Sequence, residues 1–298
     1  MNYYLKAFDL VIKSEFPFQA ISHLEKGFFD IEVVRGKVPD TLKESTYKGV
    51  NFENNAHSFL LRIPTVAKFL IQEGKRIVID PLPQAENREI ELFFLGSVMA
   101  VVLLQRDILP FHGSAFQKGD KCIIISGKSG AGKSTLLHHF VKQGYKALTD
   151  DVGALSVKDG QVVLTPSYPS SKIWNDIMDV YDYDEKDTLQ VRPSIRKYRY
   201  SLEKDFCYQS LPIEAIYILN QANDEHFSFK EEKGINKFTT LQKNIYRPLF
   251  PKALKKEKLT FSILNRLAQQ ISLFRITRSS SLKQHDAFNR FAQETMLK

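Results

Sequence analysis

Ten consecutive residues constrain this chain more than any other part of it: Ser126-Gly-Lys-Ser-Gly-Ala-Gly-Lys-Ser-Thr135. They fit the pattern G-x-x-x-x-G-K-[ST], with Gly127, Gly132, Lys133 and Ser134 at its fixed places. Glycines let such a loop turn its N–H groups inward around an anion, in dihedrals that a side chain would obstruct. A helix that begins at Gly132 would direct its free N–H groups to the same anion. The pattern therefore predicts a phosphate-binding loop.

The residues on either side supply the context that this pattern requires. Lys121 to Ser126 has the composition of a short buried strand, and Thr135 to Gln143 that of a helix ended by Gly144. Lys133 adds a full positive charge, and the Ser134 hydroxyl is a candidate ligand for Mg²⁺. The expected contacts with ATP are Gly127, Ser129, Gly130, Ala131, Gly132, Lys133, Ser134 and Thr135.

Two carboxylates and one histidine are the candidates for chemistry beside the loop. Tyr145 to Thr149 predicts a second strand that ends in Asp150 and Asp151, and ligands of α/β sheets lie outside the carboxyl ends of strands. Because successive strand residues face opposite ways, one carboxylate is expected to face the phosphoryl group and the other to serve Mg²⁺ through water or to brace the loop. His112 lies in the strand-like segment just upstream, so it is expected at the same place.

The composition is that of a globular protein, with 43% apolar and 26% charged residues among 298. The first residues lack the features of a secretion signal, and the longest apolar run, Leu92 to Leu104, is too short to span a bilayer. Cys122 and Cys207 are too few for a disulfide framework or a zinc cluster. These features predict a cytoplasmic protein with two buried thiols and no membrane partner.

The net charge of +8 leaves three kinds of partner open: nucleic acid, an anionic surface or an acidic protein substrate. The charge is uneven, with an acidic stretch from Asp176 to Asp187 and basic stretches from Arg192 to Lys204 and Lys243 to Lys258. Such stretches are commonly solvated faces. No helix-turn-helix or zinc module is recognisable, so nucleic acid is not expected as the partner.

Two units are predicted: a β-rich unit over residues 1–90, for docking or for covering the core, and a unit over 91–298 that contains the phosphate-binding loop. In the first, Ile31 to Val34 and Phe59 to Ile63 are predicted strands, and Ala67 to Ile71 pairs with Arg76 to Ile79 through a turn at Gly74. The second begins with an apolar helix from Ile90 to about Gln105.

Further elements are predicted along the second unit. Asp159-Gly160 predicts a hairpin, Lys172 to Trp174 the start of a helix that carries the acidic stretch, and Ile213 to Leu219 a central strand. The remaining predicted elements are helices over Lys237 to Ile245, Thr260 to Gln270 and from about Lys283, and a strand over Phe274 to Thr277.

His112, the loop and Asp150-Asp151 together resemble the kinase domain of HPr kinase/phosphorylase, a bacterial enzyme that phosphorylates a serine of a small protein. His112 precedes the first loop glycine by fifteen residues, and Gly113 follows it, as in that family. Over residues 105 to about 165 the resemblance implies an α/β P-loop core related to that of phosphoenolpyruvate carboxykinase. It implies Asp151 as the general base, Asp150 and His112 as its neighbours at the phosphate, Lys133 as the phosphate contact, and Ser134 with Asp150 at the metal.

The chain departs from that family in one feature and is more similar to another group. The glycine-rich signature used for the phosphorylase reaction is not found after Asp151, which speaks against that reaction and against HPr as substrate. Most of the chain resembles the HPr-kinase-like proteins of lasso-peptide biosynthesis, which phosphorylate the C-terminal residue of a precursor peptide. The segments that carry this resemblance are Leu95-Gly-Ser, Leu103-Leu-Gln-Arg106, Leu109-Pro-Phe-His-Gly-Ser-Ala115, Pro166-Ser-Tyr-Pro169, Ile173-Trp174, Leu211-Pro-Ile-Glu-Ala-Ile-Tyr217, Asn244-Ile-Tyr-Arg-Pro248 and Phe274-Arg-Ile-Thr-Arg278.

The leading hypothesis is an ATP- and Mg²⁺-dependent kinase that acts on a hydroxyl, a serine of a peptide or small protein, with a lasso-peptide precursor as the implied substrate. Arg247, Arg275 and Arg278 are candidates to bind phosphate or a substrate carboxylate. An HPr-type protein serine kinase and a P-loop nucleotide-binding regulator without kinase activity stay open as alternatives. The acceptor and the base preference are not determined, and a homo-oligomer is left open.

Overall fold

The computed structural model describes residues 2–174, 188–192, 195–222, 226–279 and 284–298. Over these residues the chain is a mixed α/β protein with three β-sheets. The strands are β1 (Tyr3–Ala7), β2 (Leu10–Ser14), β3 (Ser22–Leu24), β4 (Ile31–Arg35), β5 (Tyr47–Lys48), β6 (Phe52–Asn54), β7 (Ser58–Ile63), β8 (Ala67–Gln72), β9 (Arg76–Pro81), β10 (Leu109–Lys118), β11 (Lys121–Ser126), β12 (Ala147–Lys158), β13 (Gln161–Thr165), β14 (Ser170–Trp174), β15 (Thr188–Arg192), β16 (Ile195–Ser201), β17 (Leu211–Ala222), β18 (Ser228–Glu231) and β19 (Ser272–Ser279). The helices are α1 (Asn87–Phe93), α2 (Met99–Gln105), α3 (Lys133–Lys142), α4 (Gly234–Lys243), α5 (Leu249–Ala253), α6 (Glu257–Gln270) and α7 (His285–Met296), with a π-helical turn at Phe94–Val98 and a 3-10 turn at Glu203–Asp205.

The first nine strands form one sheet in the order β3-β1-β2-β4-β9-β8-β7-β6-β5. The strands predicted at Ile31 to Val34 and Phe59 to Ile63 are confirmed as β4 and β7, and the predicted hairpin as β8 and β9 with Gly74 at φ 65°. The β1–β2 hairpin was not predicted. Its turn places Phe8 and Asp9 at φ 55° and 58° without a glycine, so the usual turn signal is missing from the sequence.

The apolar helix predicted from Ile90 to Gln105 is confirmed as α1, the π-helical turn and α2 in succession. Every residue from Phe94 to Leu104 is buried, which explains the uninterrupted apolar sequence, because a helix enclosed on all sides needs no polar face. The helix α2 packs against β10 and α5.

The second sheet has the order β11-β10-β12-β13-β17-β19-β18, and β11 also pairs in parallel with β17. The strand β10 lies antiparallel between β11 and β12. The predicted central strand is confirmed as β17, which lies parallel to both β11 and β19. This arrangement joins the glycine-rich loop that follows β11 to the strands that carry His112 and the two aspartates.

Two element predictions are wrong. The strand β12 does not end at Asp150 and Asp151 but continues to Lys158, because both residues remain paired with β10, opposite Ser114 and Gly113. The segment Lys172 to Trp174 does not begin a helix: it belongs to β14, which pairs with β16 in a three-stranded sheet of order β14-β16-β15. The acidic stretch from Asp176 to Asp187 lies outside the described residues.

The other element predictions are confirmed. The Asp159-Gly160 turn joins β12 and β13 with φ 49° and 76°. The predicted C-terminal helices correspond to α4, α6 and α7, and the strand before the last helix to β19. The short helix α5 was not predicted, because its five residues include Pro251 and are too few to show a helical period.

The hydrophobic core runs from one sheet to the other. One cluster extends in sequence from Leu5 to Leu273 and includes α1, the π-helical turn and α2. A second cluster joins α3 to β11 and α7, with Phe116 and Phe140 stacked at 4.0 Å between ring centroids. Among the helices formed by the described residues, none is both long and apolar enough to cross a membrane.

Candidate active site

The glycine-rich loop connects β11 to α3 in the strand–loop–helix order that its pattern requires. Gly127, Gly130 and Gly132 have φ values of 132°, 82° and 103°, which L side chains rarely adopt. Close packing also excludes any side chain at Gly127, since a Cβ there would lie 2.4 Å from the carbonyl oxygen of Leu219 on β17. The loop therefore has a backbone conformation that only glycine adopts readily at these positions.

Lys133 is folded back onto this loop. It is 7% exposed, and its Nζ donates hydrogen bonds to the carbonyl oxygens of Gly127 and Lys128, both at 3.0 Å. Burial lowers the pKa of the Lys133 ammonium group, and the negative charges of Asp150 and Asp151 oppose that shift. The electrostatic coupling places the two aspartates in the neighbourhood of the loop.

The other loop positions leave polar groups near the start of α3. Ser129 and Gly130 are exposed, while Ser134 and Thr135 are half-buried in the first turn of the helix. The first N–H groups of a helix have no partner within it. Arg278 braces the loop from β19, because its Nε donates to the carbonyl oxygen of Ala131 at 2.9 Å, and burial lowers the pKa of this guanidinium group.

Asp151 contacts a histidine and forms an ion pair with a lysine. Its Oδ1 lies 3.4 Å from Nδ1 of His112, and its Oδ2 lies 3.0 Å from Nζ of Lys172. The same His112 nitrogen lies 3.0 Å from the carbonyl oxygen of Asp151. Two acceptors at one nitrogen assign the proton of the ring to Nδ1. The three side chains therefore form one cluster, and the Asp151 side chain is still 28% exposed.

The charges in this cluster determine its protonation. Burial opposes ionisation of Asp151, but the Lys172 ammonium group and the His112 ring outweigh it and hold the pKa of this carboxyl well below its usual range. Burial likewise opposes the charge of Lys172, and the Asp151 carboxylate outweighs it and raises the pKa of Lys172. At neutral pH the pair is therefore a carboxylate and an ammonium ion.

Asp150 has a different environment. It is 3% exposed, its Oδ1 accepts a hydrogen bond from the Ser114 hydroxyl at 2.6 Å, and its Oδ2 accepts from the Ser171 hydroxyl at 2.6 Å and from the backbone N–H of Lys172 at 3.0 Å. Burial alone would raise the pKa of Asp150, but these hydrogen bonds outweigh burial, so the pKa is lowered from its usual value. Both oxygens of the carboxylate are thus engaged inside the protein.

A cleft of about 700 Å³ opens beside His112. It is lined by Gly127, Lys128 and Ser129 of the loop, and by residues from the end of α4 onward. The cationic side chains along it are those of Lys128, Lys243, Arg247 and Arg275. Two of the three arginines singled out in the sequence therefore lie in this cleft, whereas Arg278 lies against the loop.

The walls of the cleft include residues that the sequence analysis had not assigned to the site. The Tyr246 ring lies 5.8 Å from the His112 ring, and the Arg247 guanidinium lies 5.6 Å from the Tyr246 ring. Ser126 Oγ lies 2.5 Å from the carbonyl oxygen of His112 and 2.8 Å from Oδ1 of Asn244. Asn244 and Tyr246 lie in a segment that was noted for its resemblance to the lasso-peptide group, but of which only Arg247 was named as a candidate site residue.

Lys172 was also missed as a site residue. It was assigned to the start of a helix, so its pairing with Asp151 could not be foreseen. The available signal was its position between Pro169 and Ile173, where two segments noted for their resemblance to the lasso-peptide group come close together. The predicted group of His112, Lys133, Asp150 and Asp151 is brought to one region, and Lys172 completes it.

Comparison with known proteins gives likenesses among solved structures but none in sequence. No family model and no curated protein matches the sequence. Among solved structures, the chain is similar to the Hpr(Ser) kinase/phosphatase from Coxiella burnetii, with 10% sequence identity, 63% of this chain and 96% of that chain covered, and a TM-score of 0.32. Since a TM-score this low supports no inference about activity, we infer function from the side chains of the site.

Proposed function

We propose that this protein is an ATP- and Mg²⁺-dependent kinase that transfers the γ-phosphoryl group to a hydroxyl of a peptide or small protein. The observation that carries the proposal is that His112, which holds the Asp151 carboxylate, lines the same cleft as Gly127 and Ser129 of the glycine-rich loop. A phosphate donor bound to the loop and an acceptor in the cleft would then meet beside one ionised carboxylate.

The loop residues suit a nucleoside triphosphate. The bent backbone from Gly127 to Gly132 and the first turn of α3 offer N–H groups to phosphate oxygens. Lys133 would exchange its contacts with the loop carbonyl oxygens for contacts with phosphate. Mg²⁺ would be held by the Ser134 hydroxyl together with phosphate oxygens, and it would supply neutralising charge as the leaving group develops.

Asp151 is the better candidate for general base of the two aspartates. Its side chain is 28% exposed and its oxygens keep free lone pairs, whereas Asp150 is 3% exposed and accepts three hydrogen bonds. In the reaction the acceptor oxygen forms a bond to the γ-phosphorus, the bond from that phosphorus to the bridging oxygen breaks, ADP leaves, and Asp151 takes the hydroxyl proton. A weakly basic carboxylate suffices, because the transition state is loose and the base mainly orients the nucleophile.

The cations of the cleft favour an acceptor with negative charge. Lys243, Arg247 and Arg275 lie along it, and Arg275 is oriented by a 2.8 Å contact from its Nε to Glu232. A guanidinium group suits a carboxylate because it can donate two parallel hydrogen bonds. This supports a peptide that presents a carboxylate near its hydroxyl, in line with the C-terminal residue of a lasso-peptide precursor that the sequence resemblance implies.

The direct test is incubation of the full chain with Mg·ATP and a panel of acceptors, followed by mass measurement of each acceptor. The panel contains peptides that end in serine, the same peptides with an amidated C-terminus, HPr and free serine. A gain of one phosphate on the carboxylate-ended peptides is expected, with less on the amidated ones. Transfer to HPr alone would point to an HPr-type kinase, and nucleotide binding with no transfer to a regulator.

Two variants examine the assigned residues. Asp151→Asn should lower transfer at least 100-fold while ATP affinity, measured by calorimetry, stays within about threefold, because general-base groups contribute on the order of 10²–10⁴-fold. Lys133→Ala should weaken both. Asp159→Asn is the matched control, since Asp159 lies in a hairpin turn where asparagine is equally suited. Full activity of Asp151→Asn would remove the base assignment.

A further inference from the structure

A second hydrogen-bonded network lies beside the catalytic cluster and is entirely buried. It consists of His138 on α3, Ser171 on β14, Asp150 on β12 and Ser114 on β10, with exposures of 0%, 0%, 3% and 0%. The contacts are 2.9 Å from His138 Nε2 to Ser171 Oγ, 2.6 Å from Ser171 Oγ to Asp150 Oδ2 and 2.6 Å from Ser114 Oγ to Asp150 Oδ1.

The direction of these hydrogen bonds follows from the donors and acceptors present. An ionised carboxylate only accepts, so the hydroxyl protons of Ser114 and Ser171 both point to Asp150. Ser171 Oγ is then an acceptor toward His138, which assigns the ring proton of His138 to Nε2. Burial lowers the pKa of His138 to about 4, in agreement with a neutral ring. The hydrogen bonds from His138 through Ser171 to Asp150 therefore all donate in the same direction, from helix α3 toward the carboxylate.

Each member of the network lies on the same strand or helix as a residue of the proposed active site. Asp150 precedes Asp151, Ser171 precedes Lys172, and Ser114 follows His112 by two residues. His138 lies on the helix that begins with Lys133. The buried network thus connects the four elements that carry the phosphate loop, the candidate base and the two side chains that hold the base.

We propose that His138 is a positioning residue, which acts through Ser171 and Asp150 to fix the phosphate-loop helix relative to the strand that carries Asp151. The inference rests on the proposed kinase function and extends it, because it assigns Asp150 to positioning and gives a role to a histidine outside the loop pattern. His138 touches neither substrate, so its loss should misalign the base without removing a nucleotide contact.

Apolar packing alone would not require this arrangement. A buried histidine and two buried hydroxyl groups demand partners with defined geometry, whereas leucine and alanine at the same places would fill the space without them. The Tyr200 ring, 5.6 Å from the His138 ring in an edge-on arrangement, packs against the histidine and limits its rotation. A purely space-filling role therefore predicts that a leucine at position 138 is tolerated.

The test compares His138→Leu, His138→Gln and His139→Leu. Gln can place its amide nitrogen near the position of His138 Nε2 and keep the donor, whereas Leu keeps the volume and removes it. His139 is the matched control, since it lies on the same helix and bonds to Gln293 instead. We expect His138→Leu to lower kcat at least tenfold with the KM for ATP within threefold of wild type, and His138→Gln and His139→Leu to stay within threefold in both.

In the kinetic test, the proposal is overturned by wild-type kcat in His138→Leu, or by equal loss in His138→Leu and His138→Gln. If His138→Leu does not fold, Ser171→Ala removes the central hydroxyl with little change in volume and should show the same kcat loss, and wild-type kcat in Ser171→Ala likewise overturns it.

A second readout separates this proposal from the kinase function. The imidazole NMR signals of His112, assigned with His112→Gln, should shift in His138→Leu and stay unchanged in His138→Gln. Unchanged His112 signals in His138→Leu overturn the positioning role whether or not the protein transfers phosphate. Absence of transfer by the wild type, with the expected NMR shifts, instead overturns the kinase assignment alone.

Discussion

Two neighbouring aspartates with identical side chains have different surroundings here, and the proposed roles follow from that difference. Asp150 is enclosed by three hydrogen-bond donors, whereas Asp151 is partly exposed between the His112 ring and the Lys172 ammonium group. Asp151 also has φ 113°, a conformation that costs of order 1–3 kcal/mol for a residue with a side chain. Strain of this kind persists where the surroundings over-determine it, and the ion pair with Lys172 is one such constraint.

At the residue scale, Gly127 should tolerate no side chain. Gly127→Ala would place a Cβ 2.4 Å from the Leu219 carbonyl oxygen at φ 132°. We expect a loss of at least about 1–3 kcal/mol in the free energy of unfolding, from backbone strain alone, and loss of detectable ATP binding. Urea denaturation and calorimetry measure the two effects. Gly130→Ala shares the backbone strain, at φ 82°, but its Cβ meets nothing within 4 Å. It should therefore lose less stability, and equal losses in both variants would contradict the steric role of the Leu219 carbonyl oxygen.

His138 should also make stability depend on pH. Its pKa is lowered from 6.5 to about 4 in the folded state, so the unfolded chain takes up the proton first as the pH falls. The free energy of unfolding should therefore fall by about 2 kcal/mol between about pH 7 and about pH 5 through this group. Urea denaturation at both values measures it, and His138→Gln should remove that part of the dependence.

The control for this effect is His57→Gln, because the His57 side chain is 78% exposed. It should leave the pH dependence as in the wild type. The same slope in wild type and His138→Gln would show that the histidine does not titrate as its burial requires.

At the scale of elements, the π-helical turn at Phe94–Val98 packs against Tyr246, a residue of the cleft wall. It places Gly96 so close to Tyr246 that a Cβ on the glycine would lie 2.8 Å from the tyrosine hydroxyl. Tyr246 in turn stands beside His112. Such π-helical turns occur often at functional sites, and here the turn gives the tyrosine room next to the candidate base.

Gly96→Ala should therefore displace Tyr246 and disturb the acceptor side of the site. We expect the KM for the acceptor to rise several-fold with the KM for ATP unchanged, because the loop does not touch Gly96. Steady-state kinetics with each substrate varied in turn measure this. Gly27→Ala, whose Cβ meets nothing within 4 Å, is the matched control. An increase confined to the ATP KM would contradict the assignment of the cleft to the acceptor.

At the scale of the molecule, the two large sheets share one apolar core. Phe250 of α5 packs edge-on against the stacked rings of Phe52 and Phe59 of the N-terminal sheet, with its ring centroid 5.1 and 5.0 Å from theirs. Nearby, the Asn54 amide donates to the carbonyl oxygen of Ala253 at 2.8 Å. Burial shared in this way couples the two parts energetically.

Phe250→Ala should destabilise the whole chain by about 3–5 kcal/mol, the usual cost of removing a buried phenyl ring. Calorimetric unfolding of wild type and variant should each show one transition, shifted to lower temperature in the variant. The exposed Phe261, with 60% of its surface accessible, provides the control: Phe261→Ala should change stability little. Two separate transitions in the wild type would mean that the N-terminal sheet folds independently.

The sequence by itself determined the loop, its flanking strand and helix, the hairpins with glycine turns and the apolar helix. These are local features: glycine positions fix the backbone, and periodicity within a dozen residues fixes the element. The proximity of His112 to the aspartates was also predicted from the sequence, because both were expected at the ligand edge of one sheet. Where the local signal was absent, as in the Phe8-Asp9 turn and α5, no element was predicted.

The tertiary structure alone decided which partners the polar residues of the candidate site have. The continuation of β12 past Asp151, the pairing of Lys172 with that carboxylate and the enclosure of Asp150 by Ser114 and Ser171 all join residues distant in the chain. Such contacts depend on register between strands and on which face of each strand is buried, and neither is written in any short segment. The glycine loop can be predicted from its sequence because its conformation depends on local backbone preferences. The buried hydroxyl network depends on strand register, so only the tertiary structure reveals it.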